Sequence, residues 1–213
     1  MPEFAELLEG YKRFRNESYP KQRKRYDELV EQGQHPKLMI IGCSDSRVDP
    51  AQIFDVDPGE IFVVRNVAAL VPPFDSSGGL HGVSAAVEFA VQMLEVKQIV
   101  VMGHGMCGGC QAALTQDLHG NEPGAGGFVA EWIHLLDDAR EPIVSAHGTQ
   151  GRDAERAMEL AAVQVSIDNL RSFPWVADKE ASGALKLRGA FFAISEGVLH
   201  VLDEASGNFL PEE

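Results

Sequence analysis

An α/β fold with a mainly parallel central β-sheet covered by helices is predicted by three features of this chain. Short apolar runs, KLMIIG (37–42), IFVV (61–64) and IVVMG (99–103), read as buried strands. Stretches with apolar residues every three or four positions read as amphipathic helices. The two kinds of segment alternate, the pattern of parallel strands joined by helical crossovers.

Taken in order, Phe4, Leu7, Leu8, Tyr11 and Phe14 lie at helical spacing. Pro20 is expected to interrupt this helix, because its ring and missing N–H disfavour a helix interior. A second helix around Tyr26, Leu29 and Val30 stops at Gly33. After the first strand, the turn signal Asp57-Pro58-Gly59 introduces the second. Val83, Ala86, Val87, Ala90, Val91 and Leu94 share one helix face. Beyond the third strand a helix starts near Cys107, and Phe128, Trp132 and Leu135 mark another. Residues 154–171 form a long helix carrying Leu160, Val163, Ile167 and Leu170. Arg188–Ile194 and Val198–Leu202 read as strands joined at Glu196-Gly197, a hairpin. Gly- and Pro-containing stretches at 72–82, 120–127 and 141–152 are expected loops, none biased enough to be a linker. Residues 1–213 therefore read as one domain, with a helical segment at 1–33.

Composition narrows the function. With 213 residues, 45% of them hydrophobic, the chain can bury a core without disulfide staples. Its net charge of −14 argues against a nucleic-acid partner, since phosphate binding needs a surplus of Lys and Arg. The basic run KQRKR (21–25) reads as a solvated helix face. No apolar run reaches the ~18 residues of a membrane span. The first twenty residues lack a basic-then-apolar layout, so no signal peptide is read and a cytoplasmic location is the default expectation. The three cysteines, Cys43, Cys107 and Cys110, are too few and too odd for a disulfide framework and point to thiol or metal chemistry.

The chemistry concentrates at the C-terminal ends of two predicted strands, in Gly42-Cys43-Ser44-Asp45-Ser46-Arg47 and Gly103-His104-Gly105-Met106-Cys107-Gly108-Gly109. Open parallel sheets bind ligands beyond these ends. Adjacent strands would bring Cys43 to His104 and Cys107. Two thiolates and an imidazole form a zinc set that leaves the fourth position open. Asp45 is the natural fourth ligand if the site is instead closed and structural. Otherwise Asp45 and Arg47, two apart, face one side of an extended segment. There the guanidinium fork keeps Asp45 ionised. Cys110 is expected to be a buried small hydrophobe pointing away from the Cys107 sulfur. His35, His81, His119, His134, His147 and His200 are expected on the surface or in loops.

CSDSRV (43–48), PGEIFVVRN (58–66) and GHGMCGG (103–109), in this order and spacing, resemble the β-carbonic anhydrases, and the match extends over most of the chain. The resemblance implies one zinc per subunit on Cys43, His104 and Cys107, with Asp45 and Arg47 as the catalytic dyad. It implies reversible hydration of carbon dioxide to bicarbonate and a proton by zinc-bound hydroxide. It also implies a homodimer, or a dimer of dimers, in which the arm 1–33 packs on the neighbouring subunit. The plant-like pocket type is indicated by Gln34, nine residues before Cys43, which reaches the site from the partner subunit. By the same offsets Phe62, Val67 and Phe89 line an apolar substrate pocket, and Gly108 offers its N–H to bound substrate. Ile40 stands where the bicarbonate-inhibited type carries Trp.

Other readings use the same residues. Carbon disulfide or carbonyl sulfide could be hydrolysed at the same zinc, or the zinc could be purely structural, although that would leave Arg47 without a purpose. Gly103-x-Gly105-x-x-Gly108 also matches a dinucleotide fingerprint. That reading leaves His104 and Cys107 unexplained and lacks the second strand it needs.

Overall fold

The computed structural model describes residues 3–118 and 122–212. Its sheet is built from β1 (Leu38–Cys43), β2 (Ile61–Asn66), β3 (Gln98–His104), β4 (Lys186–Ala193), β5 (Val198–Asp203) and β6 (Asn208–Pro211), in the order β2-β1-β3-β4-β5-β6. The first four run parallel, and β5 and β6 are antiparallel. The expected hairpin is present, turning at Gly197 with φ 69°. β6 was not expected; four residues ending in Pro are too short to show periodicity, and Pro suits an edge strand.

The strand order positions the site. From β1 the chain crosses to β2 on one side, whereas from β3 it crosses to β4 on the other. The C-terminal ends of β1 and β3 therefore flank a topological switch point, where a crevice opens. Register pairs Gly42 with Met102, so Cys43 and His104 close neighbouring strands at that crevice.

The helices follow the predicted periodicities, with two corrections. Pro20 does not break the N-terminal helix. α1 (Phe4–Arg13) runs through a π-helical turn (Phe14–Ser18) directly into α2 (Tyr19–Gln32), and Pro20 sits in the first turn of α2. The wider turn ahead of it makes room for the ring. α2 ends at Gly33 as expected. The short α3 (Pro50–Ile53) follows β1, and α4 (Gly82–Glu88) passes into a π-helical turn at Phe89–Met93. After β3 come α5 (Gly108–Thr115), α6 (Gly127–Ile133) and α7 (Asp137–His147). α7 overturns the loop expected over its residues, since it carries Pro142 inside it and stops at Gly148. A proline costs one helical hydrogen bond there, which is tolerable at an exposed position. α8 (Arg152–Arg171) and α9 (Pro174–Ala181) precede β4.

α8 packs on the sheet through Val163, Ile167 and Leu170, against Met39, Ile41, Ile99 and Val101 among others, while its Met158 and Ala162 join the cluster of Leu114, Ile133 and Leu136. Its approach to β3 depends on Gly103, where an added Cβ would lie 2.6 Å from Val163 Cγ2 and 3.4 Å from the Glu159 carbonyl. Gly103→Ala is accordingly expected to cost about 1–3 kcal/mol through overpacking. Thermal denaturation would show this as a fall of roughly 2–4 °C per kcal/mol; an unchanged melting temperature would refute the close-packing argument.

His35, His81, His134 and His147 are exposed as expected, and His119 lies outside the described residues. His200 departs from expectation, lying half-buried on β5 with its ring 6.2 Å from that of Phe191. No described helix is long and apolar enough to cross a membrane.

Candidate metal centre

Cys43 ends β1, His104 ends β3, and Cys107 caps the N-terminus of α5. All three are buried, and their ligand atoms lie within 4.8 Å of one another. His104 Nδ1 is 2.9 Å from the Gly105 carbonyl oxygen. A carbonyl only accepts, so Nδ1 carries the proton and Nε2 presents its lone pair. That Nε2 is buried with no hydrogen-bond partner among the described residues. A buried acceptor left bare between two sulfur atoms fits a cation, and a donor set of two thiolates and one imidazole suits zinc.

Cys110 is buried as expected, and it is close enough to Cys107 to affect that thiol. Three residues apart across the first turn of α5, the two side chains fall on one side of the helix. Contact with Cys110 pushes the Cys107 thiol up to about 12, and contact with Cys107 together with burial pushes Cys43 up to about 12. A bound cation would take the place of those thiol protons.

Asp45 and Arg47 do meet, through a turn instead of an extended segment. The Val48 N–H donates to the Asp45 carbonyl (3.2 Å), and the Arg47 N–H donates to Asp45 Oδ1 (2.9 Å). The guanidinium then grips both carboxylate oxygens, Nε to Oδ1 at 2.9 Å and Nη2 to Oδ2 at 2.7 Å. These bonds hold Asp45 well below the usual carboxylate range. Asp45 Oδ2 stands 4.0 Å from His104 Nε2, so a carboxylate faces the centre without belonging to the converging ligand group.

Two further residues hold this arrangement. Arg65, at the end of β2, donates to the Cys43 carbonyl (2.8 Å), the Asp45 carbonyl (2.7 Å) and Asp49 Oδ2 (2.7 Å), fixing the loop that carries both Cys43 and Asp45. Glu159 on α8 accepts from the Met106 N–H (2.5 Å) and the Cys107 N–H (3.3 Å). Sequence reading took in Arg65 only as part of the PGEIFVVRN motif and passed over Glu159. The available signal for Glu159 was a carboxylate in the buried stripe of α8, in step with Ala162, Val163 and Ser166.

A profile described as carbonic anhydrase matches residues 38–199. The chain belongs to the carbonic anhydrase family, in its β class. It is 32% identical over 190 residues to beta carbonic anhydrase 5, chloroplastic, of Arabidopsis thaliana. That alignment takes in 89% of this chain and 61% of the relative, so the chain spans less than two thirds of that protein's length. The structure of the β-carbonic anhydrase CcaA superposes with a TM-score of 0.90 at 29% identity, covering 98% of this chain and 99% of that one. A tetrameric β-carbonic anhydrase from the ascomycete Sordaria macrospora superposes with a TM-score of 0.77 at 28% identity, covering 93% of this chain and 96% of its own.

β-Carbonic anhydrases use zinc, and among the described residues Cys43, His104 and Cys107 form a group able to hold it. The glycines of the dinucleotide-like match flank that group, and helices, not a second strand, follow α5. The expected pocket residues of this β-carbonic anhydrase fall into two sets. Gly108 opens α5, where first-turn N–H groups have no helical partner, and apart from its chain neighbours and its own helix backbone no described atom lies within 4 Å of where its Cβ would be. Val67 packs against the same turn, since a Cβ on Gly109 would lie 2.7 Å from its Cγ1. Phe62 and Phe89 stack on each other at 5.8 Å, away from the chain's own centre. Phe62 is in register with Met39, four residues or ~13 Å of strand short of Cys43. Gln34 is exposed and precedes the far end of β1, at least ~17 Å of strand from Cys43. A single chain does not bring Gln34, Phe62 or Phe89 to its own metal group.

Proposed function

We propose that this protein catalyses the reversible hydration of carbon dioxide to bicarbonate and a proton at a zinc ion held by Cys43, His104 and Cys107. The observation that carries the reading is the bare, buried His104 Nε2 converging with two thiols beside an ionised Asp45. When bound, zinc supplies the Lewis acidity that makes a water molecule nucleophilic near neutral pH. Asp45, locked by Arg47, accepts a hydrogen bond from the attacking oxygen and turns its lone pair toward the substrate carbon. Val67 gives the substrate an apolar wall, and the Gly108 N–H stabilises the oxygen that gains negative charge. Stopped-flow carbon dioxide hydration across pH, with zinc content measured on the same samples, tests the reading. Zinc-loaded protein without hydration activity would overturn it. Parallel assays with carbonyl sulfide and carbon disulfide separate hydration from hydrolysis of those substrates.

Residues 1–213 serve as one domain, in which 1–33 form an arm laid on a second copy. Supporting this, Phe4, Leu7, Leu8 and Tyr11 expose an apolar face on α1, and the Sordaria relative is tetrameric. Gln34, Phe62 and Phe89 then complete the partner's pocket, in a dimer or a dimer of dimers. Subunit mixing tests this. Gln34→Ala and Asp45→Asn homo-oligomers are each expected to be weakly active. Co-assembled, they should recover activity, because one site per pair then carries neither defect. Absence of recovery in verified mixed dimers would return Gln34 to its own chain.

A further inference from the structure

Glu159 is 2% exposed, and its carboxylate does two things. Toward solvent it takes a forked contact from Arg152, Nη1 to Oε1 at 3.1 Å and Nη2 to Oε2 at 3.2 Å. Toward the metal loop, Oε1 accepts the N–H groups of Met106 and Cys107. Met106 holds a left-handed backbone, φ 56°, a conformation that a non-glycine residue keeps only where its surroundings enforce it. The enforcement is visible on both sides of this residue. Its N–H is held by Glu159, and its carbonyl accepts from Arg47 Nη2 at 3.0 Å. Arg47 is the same guanidinium that grips Asp45. A continuous hydrogen-bonded chain thus runs Arg152–Glu159–Met106–Arg47–Asp45, with Cys107 attached at Glu159.

We propose that Glu159, clamped by Arg152, is a positioning residue that sets the direction of the Cys107 sulfur and the placement of the Arg47–Asp45 pair together. A carboxylate suits the task because it accepts two loop N–H groups and two guanidinium N–H groups at once, a demand no neutral side chain meets. Gly103 lets α8 approach closely enough to deliver it. The inference rests on Cys107 being a zinc ligand.

The test compares zinc-loaded wild-type protein with Glu159→Gln and Arg152→Gln. The second variant keeps the Glu159 carboxylate but removes the guanidinium fork that aims it at the loop, and it alters a half-exposed residue, so it remains informative if the first fails to fold. Both are expected to lose zinc to a chelator roughly 10–100-fold faster than wild type. Both should also shift the thiolate-to-metal absorption band of the cobalt-substituted protein and lower kcat with little change in KM. A buried ion pair with only a structural role would lower the melting temperature and leave the zinc-loss rate and the cobalt band unchanged; that result overturns the inference. Wild-type protein that holds no zinc would instead overturn the metal-centre reading itself, so the two failures are distinguishable.

Discussion

Asp45→Asn is expected to keep a full complement of zinc and to lose carbon dioxide hydration by roughly 10²-fold or more. Zinc retention follows because the carboxylate stands outside the Cys43–His104–Cys107 group and both its oxygens are engaged by Arg47. Activity falls for two reasons. The amide removes the negative charge that accepts a hydrogen bond from the attacking oxygen. It also sets an NH2 group against one of the two guanidinium N–H groups, which breaks half of the fork and loosens the remaining acceptor. The pH profile adds a second check. Arg47 lowers the Asp45 carboxyl, so Asp45 is ionised from well below neutral upward. Its share of folded stability is therefore present at neutral pH and lost only as pH falls through that lowered value. The acid limb of hydration should belong to another group and keep its midpoint in the variant. Zinc analysis with stopped-flow hydration decides the matter, and wild-type turnover in Asp45→Asn would remove this residue from the mechanism.

The metal group was legible because its signals are local. Apolar runs that end in Gly42-Cys43 and Gly103-His104 mark both strands and their C-terminal ends, and a parallel sheet brings such ends together. The Asp45–Arg47 contact was legible as a pair but not in form, since an Asp-driven turn and an extended segment both bring i and i+2 together. Three features escaped for physical reasons. Pro20 is accommodated by a π-helical turn, a backbone adjustment that leaves no mark on side-chain spacing. β6 is an edge strand of four residues. Arg65 and Glu159 act on backbone groups of segments 20 or more residues away, and such partners depend on tertiary approach. The role of Gly103 in setting α8 close to β3 shows how the missing information is carried: a residue without a side chain decides where a distant carboxylate lands.

Cys43→Ala is expected to abolish metal binding while leaving the chain folded, and so to reduce hydration to the uncatalysed background. Removing one buried sulfur costs about 1 kcal/mol, comparable to deleting a methyl-sized group from a core. The loop keeps its anchor because Arg65 holds the Cys43 carbonyl, which the substitution does not touch. What remains for the ion is one thiolate and one imidazole, too few to retain zinc against a chelator. The consequence also appears in stability. A ligand that binds only the folded state adds about 3 kcal/mol at a hundred times its dissociation constant, so stripping zinc from the wild type should lower its melting temperature by roughly 5–10 °C. Cys43→Ala should melt at the same temperature with or without zinc, close to the stripped wild type. A variant that still gained thermal stability from added zinc, or bound one ion per chain, would show that the ion sits elsewhere, and the proposed chemistry would then have no centre.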